Sequence, residues 1–402
     1  MAARRRALVI GGSLSGLFVG TRLLRDGWDV RIFERSSVEL SGRGAGIVTQ
    51  RQVPATLRAL GLSVPAELGV DISRRQILSR DGQVTATAEK PLRATSWMLL
   101  FAILREAFPP ERYELGRDLV RVEQDEHAVH AVFADGSRAT GDLLVGADGF
   151  RSSVRPHLAP DLEPLYAGYV AWRALVAEEA FPEDLHRQLF GFFTFGLPEH
   201  QQMLGYPVAE GASPSDGLSY NIVWYKPTDG ASDLPRLLTD RNGRRHDMSI
   251  PPPLIADDVV ADMRARAKAA FAPQFQQALE LAGRPFFQPI YDLETPRMVA
   301  GRVALIGDAA FVARPHVGAG TAKAADDAMS LGDALRQDRP VAEALLAFEA
   351  ERLPIGRRII ERARQLGTYL KRDFASEAER QAAQPFRDPE AVLVQNAVLD
   401  FL

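Results

Sequence analysis

The first 34 residues of the chain alternate between short apolar runs and a helical pattern. Residues 7–10 are all apolar and precede two glycines, which is typical of a buried parallel strand that ends in a tight turn. Leu14 to Arg25 carries apolar residues at helical spacing and predicts a helix that stops near Gly27. Asp29 to Phe33 predicts a second strand. A strand, a helix and a strand within about 30 residues form the core of a nucleotide-binding fold.

Similar strand patterns return in the middle and near the end of the chain. Buried strands are predicted at 142–145 and 302–306, and each is soon followed by a glycine and an aspartate. Between them, residues 166–225 are rich in β-branched and aromatic side chains with repeated glycine and proline, which predicts a separate antiparallel sheet. A hairpin is predicted at 120–133, and helices are predicted at 257–281, 321–335 and 341–370.

This order predicts an α/β protein with a Rossmann-like cofactor domain, an inserted and mostly antiparallel β-sheet substrate domain, and C-terminal helices. The cofactor domain is expected to be discontinuous, over residues 1–70, 95–165 and 285–370. The substrate domain is expected over residues 71–94 and 166–284, and residues 371–402 are expected to form a weakly patterned C-terminal tail.

Composition narrows the classes of function. The net charge is −4, so neither nucleic acid nor an anionic membrane surface is an expected partner. No stretch approaches the roughly 18 apolar residues of a membrane span, and no signal-peptide pattern is present, so a cytoplasmic location is expected. The absence of cysteine excludes disulfides, thiolate nucleophiles and iron–sulfur clusters, and no metal site is expected.

The turn after the first strand resembles a dinucleotide fingerprint with one substitution. Gly11 and Gly16 occupy the first and sixth places, whereas Ser13 occupies the third, where glycine is usual. Amide groups at the start of the following helix favour phosphate. Glu34 follows about 20 residues later, where an acceptor for a ribose hydroxyl is expected. Together these features predict dinucleotide binding, and a glycine-rich turn without a ligand is the alternative.

Two further motifs indicate which dinucleotide is bound. They are DLLVGADGFRSSVR at 142–155 and GRVALIGDAA at 301–310, the latter followed by RPHVGAG at 314–320. This combination resembles the single-component FAD-dependent aromatic hydroxylases, the group that contains p-hydroxybenzoate and salicylate hydroxylases. The resemblance covers roughly residues 5–370. The segments SGRGAGIVTQ at 41–50, YAGYVAWR at 166–173 and RPH at 314–316 make it more similar to members that act on hydroxypyridines.

The resemblance implies bound FAD, with NADH or NADPH as co-substrate and O2 as the oxidant. It places Asp308 at the ribityl and pyrophosphate region of FAD, and Asp148 beside the pyrophosphate. It also places Pro315 against the isoalloxazine ring, with the backbone amides of 318–320 facing the carbonyl edge of that ring. The residues assigned to cofactor binding are Gly11, Ser13, Leu14, Ser15, Gly16, Glu34, Arg35, Gly46, Asp148, Asp308, Pro315, Gly318, Ala319 and Gly320.

The implied reaction is hydroxylation of a small, electron-rich aromatic or hydroxypyridine ring through a flavin C4a-hydroperoxide. The catalytic candidates are His316, Tyr225 and Arg173. His316 is expected as a substrate contact or base, with a loop-stabilising hydrogen bond as the alternative. Arg173 is expected to hold an anionic ring oxygen or to pair with a carboxylate. Ordinary core packing is the favoured interpretation, and a place in an apolar pocket the alternative, for each of Tyr225, Tyr206, Phe195 and Trp172.

The chain also departs from the family pattern. Phe101 stands near the place where many members carry an FAD-contacting arginine, and Arg105 comes one turn later. Thr321, Ala322 and Lys323 replace the usual asparagine after the glycine loop. Other functions therefore stay open: a flavin reductase, oxidase or epoxidase with a non-aromatic substrate, or a flavin-binding protein without enzymatic activity. The sequence also leaves the oligomeric state open, and a homodimer is one of the alternatives.

Overall fold

A parallel sheet forms the centre of the molecule. The computed structural model describes residues 4–40, 46–65, 68–211, 216–337 and 339–402. Within this part of the chain, elements are numbered in chain order, and six strands pair in the order β16-β17-β10-β1-β2-β6. These strands are β1 (Arg6–Ile10), β2 (Asp29–Phe33), β6 (Tyr113–Glu114), β10 (Leu143–Gly146), β16 (Val299–Ala300) and β17 (Val303–Leu305). All pairs are parallel except β16 with β17.

The register of this sheet brings the glycine-containing motifs to one edge. Ile10 at the end of β1 pairs with Phe33 of β2 on one side and with Gly146 of β10 on the other. Gly146 in turn pairs with Leu305 of β17. Because β1 has one neighbour from each half of the sheet, its carboxyl end lies at a topological switch point, which is where ligands bind in open α/β sheets.

A second, larger sheet carries the aromatic region. Its order is β18-β15-β11-β14-β13-β12-β4-β5-β3, and its pairs are antiparallel except β4 with β12. The strands are β3 (Gly46–Thr49), β4 (Val70–Leu78), β5 (Val84–Ser96), β11 (Leu165–Ala177), β12 (Phe192–Gly196), β13 (Gln202–Ala209), β14 (Leu218–Pro227), β15 (Phe286–Glu294) and β18 (Phe311–Val312). A small antiparallel sheet contains β7 (Leu119–Gln124), β8 (Val129–Phe133) and β9 (Arg138–Gly141).

Helices cover both large sheets. They are α1 (Leu14–Arg25), α2 (Gln52–Ala59), α3 (Trp97–Ala107), α4 (Arg155–Leu158), α5 (Glu183–Leu189), α6 (Asp233–Leu237), α7 (Asp257–Ala270), α8 (Pro273–Leu281), α9 (Gly320–Leu335), α10 (Val341–Gly367), α11 (Glu377–Ala383) and α12 (Pro389–Gln395). One buried core joins α1, α9 and α10 to the parallel sheet. A second joins α7 and α8 to one face of the large sheet, and a third lies on its opposite face. The α/β class with C-terminal helices is as predicted.

The C-terminal residues fold differently from the expected weakly patterned tail. Residues 371–402 contain α11 and α12, and each begins at a side-chain cap, Ser376 and Asp388 respectively. Val392 and Leu393 of α12 are buried in the core on the site-facing side of the large sheet. The two helices are short and are held in place by tertiary contacts. The sequence of this segment therefore lacks a long amphipathic pattern.

Candidate active site

A crevice runs from the edge of the parallel sheet to the face of the large sheet. One part, which we call the loop cavity, has a volume of about 380 Å³ and is lined by the turn after β1 together with Glu34 and Asp148. The other part, the sheet cavity, has a volume of about 310 Å³ and is lined by β11, β13, β14 and residues 313–321. Both cavities are bordered by Asp308, Gly320 and Thr321, so they form one elongated site.

The turn after β1 has the shape that a phosphate site requires. Gly11 has a backbone φ of +102°, and a Cβ atom there would lie 2.5 Å from the carbonyl oxygen of Ala147. A Cβ atom on Gly16 would lie 1.9 Å from the carbonyl oxygen of Gly11. Gly16 therefore does not line the crevice but lets α1 pack on the turn. Its neighbours Ser13, Leu14 and Ser15 line the loop cavity at the helix start, where free amides and the helix dipole favour an anion.

Glu34 connects the turn to the end of β2. The residue is buried, 7% exposed, and its carboxylate accepts hydrogen bonds from the backbone N–H of Gly12 at 2.8 Å and of Ser36 at 2.9 Å. Each carboxylate oxygen has a second lone pair. Glu34 and its neighbour Arg35 both line the loop cavity, so the geometry fits an acceptor for ribose hydroxyls.

Asp148 lies across the loop cavity, in the turn after β10. Its Oδ2 accepts the N–H of Ser153 at 2.6 Å, while its buried Oδ1 has no hydrogen-bond partner among the described residues. Burial raises the pKa of the Asp148 carboxyl, with the hydrogen bonds from Ser152 and Ser153 acting in the opposite direction. A carboxyl that loses its proton less readily is compatible with a neighbouring phosphate.

The wall of the sheet cavity follows the alternation of β-strands. Arg173, Tyr225 and Tyr206 come from adjacent strands and face the cavity. Trp172 points to the opposite face, where its ring centroid lies 4.9 Å from that of Phe287, so it packs in the core and does not line the pocket. Phe195 is fully buried in the core beneath the cavity and does not line it either.

His316 lies opposite these strands, in the loop that precedes α9. Its Nε2 is 2.8 Å from the hydroxyl oxygen of Tyr169, and its ring centroid is 4.5 Å from that of Tyr225. Burial, with a smaller effect from the charge of Arg314, lowers the pKa of His316 to about 3. The imidazole is therefore neutral at physiological pH. Pro315, Gly318, Ala319 and Gly320 continue the same wall.

The lowered pKa of His316 predicts a measurable acid sensitivity. The folded state keeps His316 neutral down to about pH 3, whereas the unfolded chain protonates it near 6.5. Between these values unfolding takes up a proton, so the free energy of unfolding falls as the pH falls, by about 1.4 kcal/mol per pH unit from this group. The free energy of unfolding, measured with denaturant between pH 6 and about pH 4, should therefore fall less steeply with falling pH in His316→Gln than in the parent protein. Equal slopes in both proteins would contradict this prediction.

The C-terminal segment supplies a wall that the sequence did not predict. Asn396 and Ala397 line the sheet cavity, and the N–H of Ala397 donates to the carbonyl oxygen of His316 at 2.8 Å. Arg75 in β4 is buried and donates to the carbonyl oxygens of Leu393 at 3.0 Å and Asn396 at 2.7 Å. An arginine within a predicted strand was the available signal, but these two partners are more than 300 residues away along the chain.

The departures from the family pattern also have structural consequences. Phe101 stacks on Trp97 with ring centroids 4.8 Å apart, and Trp97 lines the loop cavity. Arg105 lies over the ring of Tyr113 and pairs with Glu39 at 3.3 Å, so it does not line the crevice. Residues 41–45 of the segment 41–50 lie outside the described residues. From Gly46 onward that segment forms β3, and Gly46 lines the sheet cavity.

Among the described residues, none of the helices combines the length and apolar character that a membrane span requires. The same residues do not bring together three or more His, Asp or Glu side chains that could hold a metal ion. The crevice offers helix-start amides, a carboxylate suited to ribose hydroxyls and a long groove leading to a pocket of aromatic side chains, and these features fit FAD.

Comparison with known proteins agrees with this geometry. A family model described as an FAD binding domain matches residues 4–179 and 288–363, and one described as FAD binding domain-like matches residues 166–292. The chain is 32% identical to 2,6-dihydroxypyridine 3-monooxygenase of Paenarthrobacter nicotinovorans over 366 residues, 91% of each chain. The chain belongs to the FAD-dependent aromatic hydroxylases. The predicted family is therefore confirmed.

Solved structures show the same relationship. The structure of 2,6-dihydroxypyridine-3-hydroxylase from Arthrobacter nicotinovorans matches with a TM-score of 0.86 and 31% identity, over 94% of this chain and 96% of that one. Klebsiella pneumoniae HpxO complexed with FAD and uric acid matches with a TM-score of 0.78 and 25% identity, over 96% and 92% of the two chains. This chain is thus an FAD-dependent monooxygenase that hydroxylates an aromatic ring with NAD(P)H and O2, and the comparisons do not support the alternative reactions.

Proposed function

We propose that the ring hydroxylated by this enzyme is a small hydroxypyridine, bound in the sheet cavity with an ionised ring oxygen against Arg173. The observation that carries the proposal is the guanidinium itself. Arg173 lines the cavity, and no carboxylate of the described residues lies within ion-pair distance of it. A guanidinium stays protonated and stabilises a neighbouring anion, and ionisation of a ring hydroxyl makes the ring more electron-rich. The similarity of this chain to 2,6-dihydroxypyridine 3-monooxygenase supports this ring type.

The remaining groups of the cavity would orient the ring. Burial raises the pKa of the Tyr225 hydroxyl, so this group stays protonated and can donate a hydrogen bond. His316 is neutral, and its low pKa makes it a weak base, so we assign it as a substrate contact. FAD, when bound and reduced by NAD(P)H, supplies the activation of O2. The packed strands and the C-terminal wall border the pocket and would help to exclude water when FAD and the ring are bound.

Replacing Arg173 by methionine should raise KM for the ring substrate about ten- to a hundredfold, because a charge-assisted hydrogen bond is lost. The FAD content should not change, since Arg173 does not line the loop cavity. Steady-state kinetics with a flavin spectrum of the purified protein measure both. Arg173→Lys is the matched control and should recover part of the loss. An unchanged KM in Arg173→Met would remove Arg173 from the substrate site.

The substrate class is tested by NAD(P)H oxidation with the FAD-loaded protein and a panel of hydroxypyridines, hydroxybenzoates and simple phenols. We expect hydroxypyridines to accelerate oxidation most and to yield products that gain one oxygen atom by mass spectrometry. Stronger acceleration and product formation with hydroxybenzoates would contradict the proposed ring type while leaving the hydroxylase activity in place.

A further inference from the structure

Lys323 is a buried cation beside the FAD crevice. It lies in the first turn of α9, and its side chain is 1% exposed. Within the described parts of the chain, its Nζ atom has no hydrogen-bond partner, and the carboxylate within ion-pair distance is that of Asp308, at 3.6 Å from Oδ1. The same Asp308 borders both cavities with half of its side chain exposed.

Such a lysine is unfavourable by itself. An ammonium group has three donors, and burying it without hydrogen bonds is destabilising unless an anion lies close. Its place in the first turn of α9 adds to the penalty, because the helix dipole is positive there. The neighbouring Asp327 of α9 gives little relief, since it already accepts from Arg352 at 2.8 Å and from the N–H of Gly307 at 2.9 Å. Asp308 is therefore the carboxylate that compensates the charge of Lys323.

The crevice explains why Asp308 needs this partner. FAD carries two negative charges on its pyrophosphate, and the loop cavity already contains the carboxylate of Glu34. The cations that line the loop cavity within the described residues are Arg35 and Arg117. Arg117 is engaged by Glu114 at 3.0 Å and Asp135 at 2.6 Å. An uncompensated carboxylate on Asp308 would add repulsion where it is expected to hold ribityl hydroxyls.

We propose that Lys323 is a positioning residue for FAD, whose buried ammonium neutralises Asp308 so that this carboxylate can bind the cofactor beside the pyrophosphate. The inference rests on FAD binding and not on the proposed hydroxypyridine substrate. It predicts that the charge of Lys323 acts through Asp308. The effects of removing the two charges are therefore coupled.

The test is the Kd of FAD for the apoprotein, measured by quenching of flavin fluorescence. Lys323→Met should weaken FAD binding at least about tenfold, because the Asp308 carboxylate loses its counter-charge. Asp308→Asn combined with Lys323→Met should bind FAD more tightly than Lys323→Met alone, within about threefold of the parent protein, because the amide keeps the hydrogen-bonding shape without the charge. Lys371→Met is the matched control, a lysine paired with Glu379 outside both cavities, and should leave the Kd unchanged.

A second readout separates this role from a purely structural one. Removing a buried ammonium group that makes no hydrogen bond should leave the melting temperature of the apoprotein equal or higher, while the stabilisation by added FAD becomes smaller. A Kd for Lys323→Met within twofold of the parent would overturn the proposal, as would strictly additive effects in the double variant. If Lys323→Met does not fold, Lys323→Gln, of similar length, is judged by the same criteria. Substrate turnover enters none of these measurements.

Discussion

Replacing Gly16 by alanine is expected to abolish FAD retention. The added Cβ would lie 1.9 Å from the carbonyl oxygen of Gly11 and 3.0 Å from its carbonyl carbon. Both are backbone atoms of the turn that lines the loop cavity, so relief requires the turn and α1 to move apart. That movement displaces the amides that are expected to hold the pyrophosphate. The purified variant should lack the yellow flavin absorption, and its Kd for FAD should rise at least about a hundredfold.

Gly27→Ala provides the matched control for this prediction. Gly27 follows the same helix with φ of +87°, and a Cβ atom there meets nothing within 4 Å. Alanine at this position costs about 1–2 kcal/mol of backbone strain but creates no clash. It should lower the melting temperature and retain FAD. Full flavin occupancy in Gly16→Ala, or equal loss in both variants, would show that the packing of the turn does not govern cofactor binding.

The second large effect is expected from His316→Gln, in the hydroxylation step rather than in flavin reduction. His316 borders the sheet cavity and is held by Tyr169 and by the backbone of Ala397. As a neutral contact it would place the ring for oxygen transfer, and an unsatisfied or misplaced contact costs about 1–3 kcal/mol. Product formation per reduced enzyme should fall about tenfold, and a larger share of the electrons from NAD(P)H should reduce O2 to hydrogen peroxide. Flavin absorbance after rapid mixing measures the rates of flavin reduction and of hydroxylation separately.

Tyr169→Phe is the control for His316. Tyr169 does not line the sheet cavity, so its substitution removes the hydrogen bond to Nε2 while leaving His316 in place. A smaller loss of hydroxylation with unchanged flavin reduction is expected. Equal slowing of reduction and hydroxylation in His316→Gln would mean that the histidine supports the loop and the flavin, and does not contact the substrate.

The local pattern of the sequence was sufficient for the first strand–helix–strand unit. Leu14–Arg25 and Asp29–Phe33 have the predicted bounds, because apolar periodicity and a terminating glycine determine short elements in a parallel sheet. The same reasoning could not determine which side chains of a strand face the cavity and which face the opposite core. Arg173 lines the cavity and Trp172 the opposite core, and this alternation becomes visible only when the register with β14 is known.

Long-range contacts account for the other differences. Residues 46–49 were expected in the cofactor domain, yet they form β3 and pair with β5 at the edge of the large sheet. The wall made by Asn396 and Ala397 depends on Arg75, and the isolation of Lys323 depends on how α9 packs behind Asp308. None of these contacts has a periodic pattern in the sequence, because each joins segments that are distant along the chain.

The central claim, that this chain hydroxylates an aromatic ring with O2, is tested most directly by turnover under isotopically labelled oxygen gas. The FAD-loaded protein, NAD(P)H and the hydroxypyridine that best accelerates oxidation should yield a product carrying one labelled oxygen atom on the ring, with close to one NAD(P)H consumed per product. NAD(P)H oxidation that releases only labelled peroxide, or a product whose new oxygen comes from water, would contradict the account.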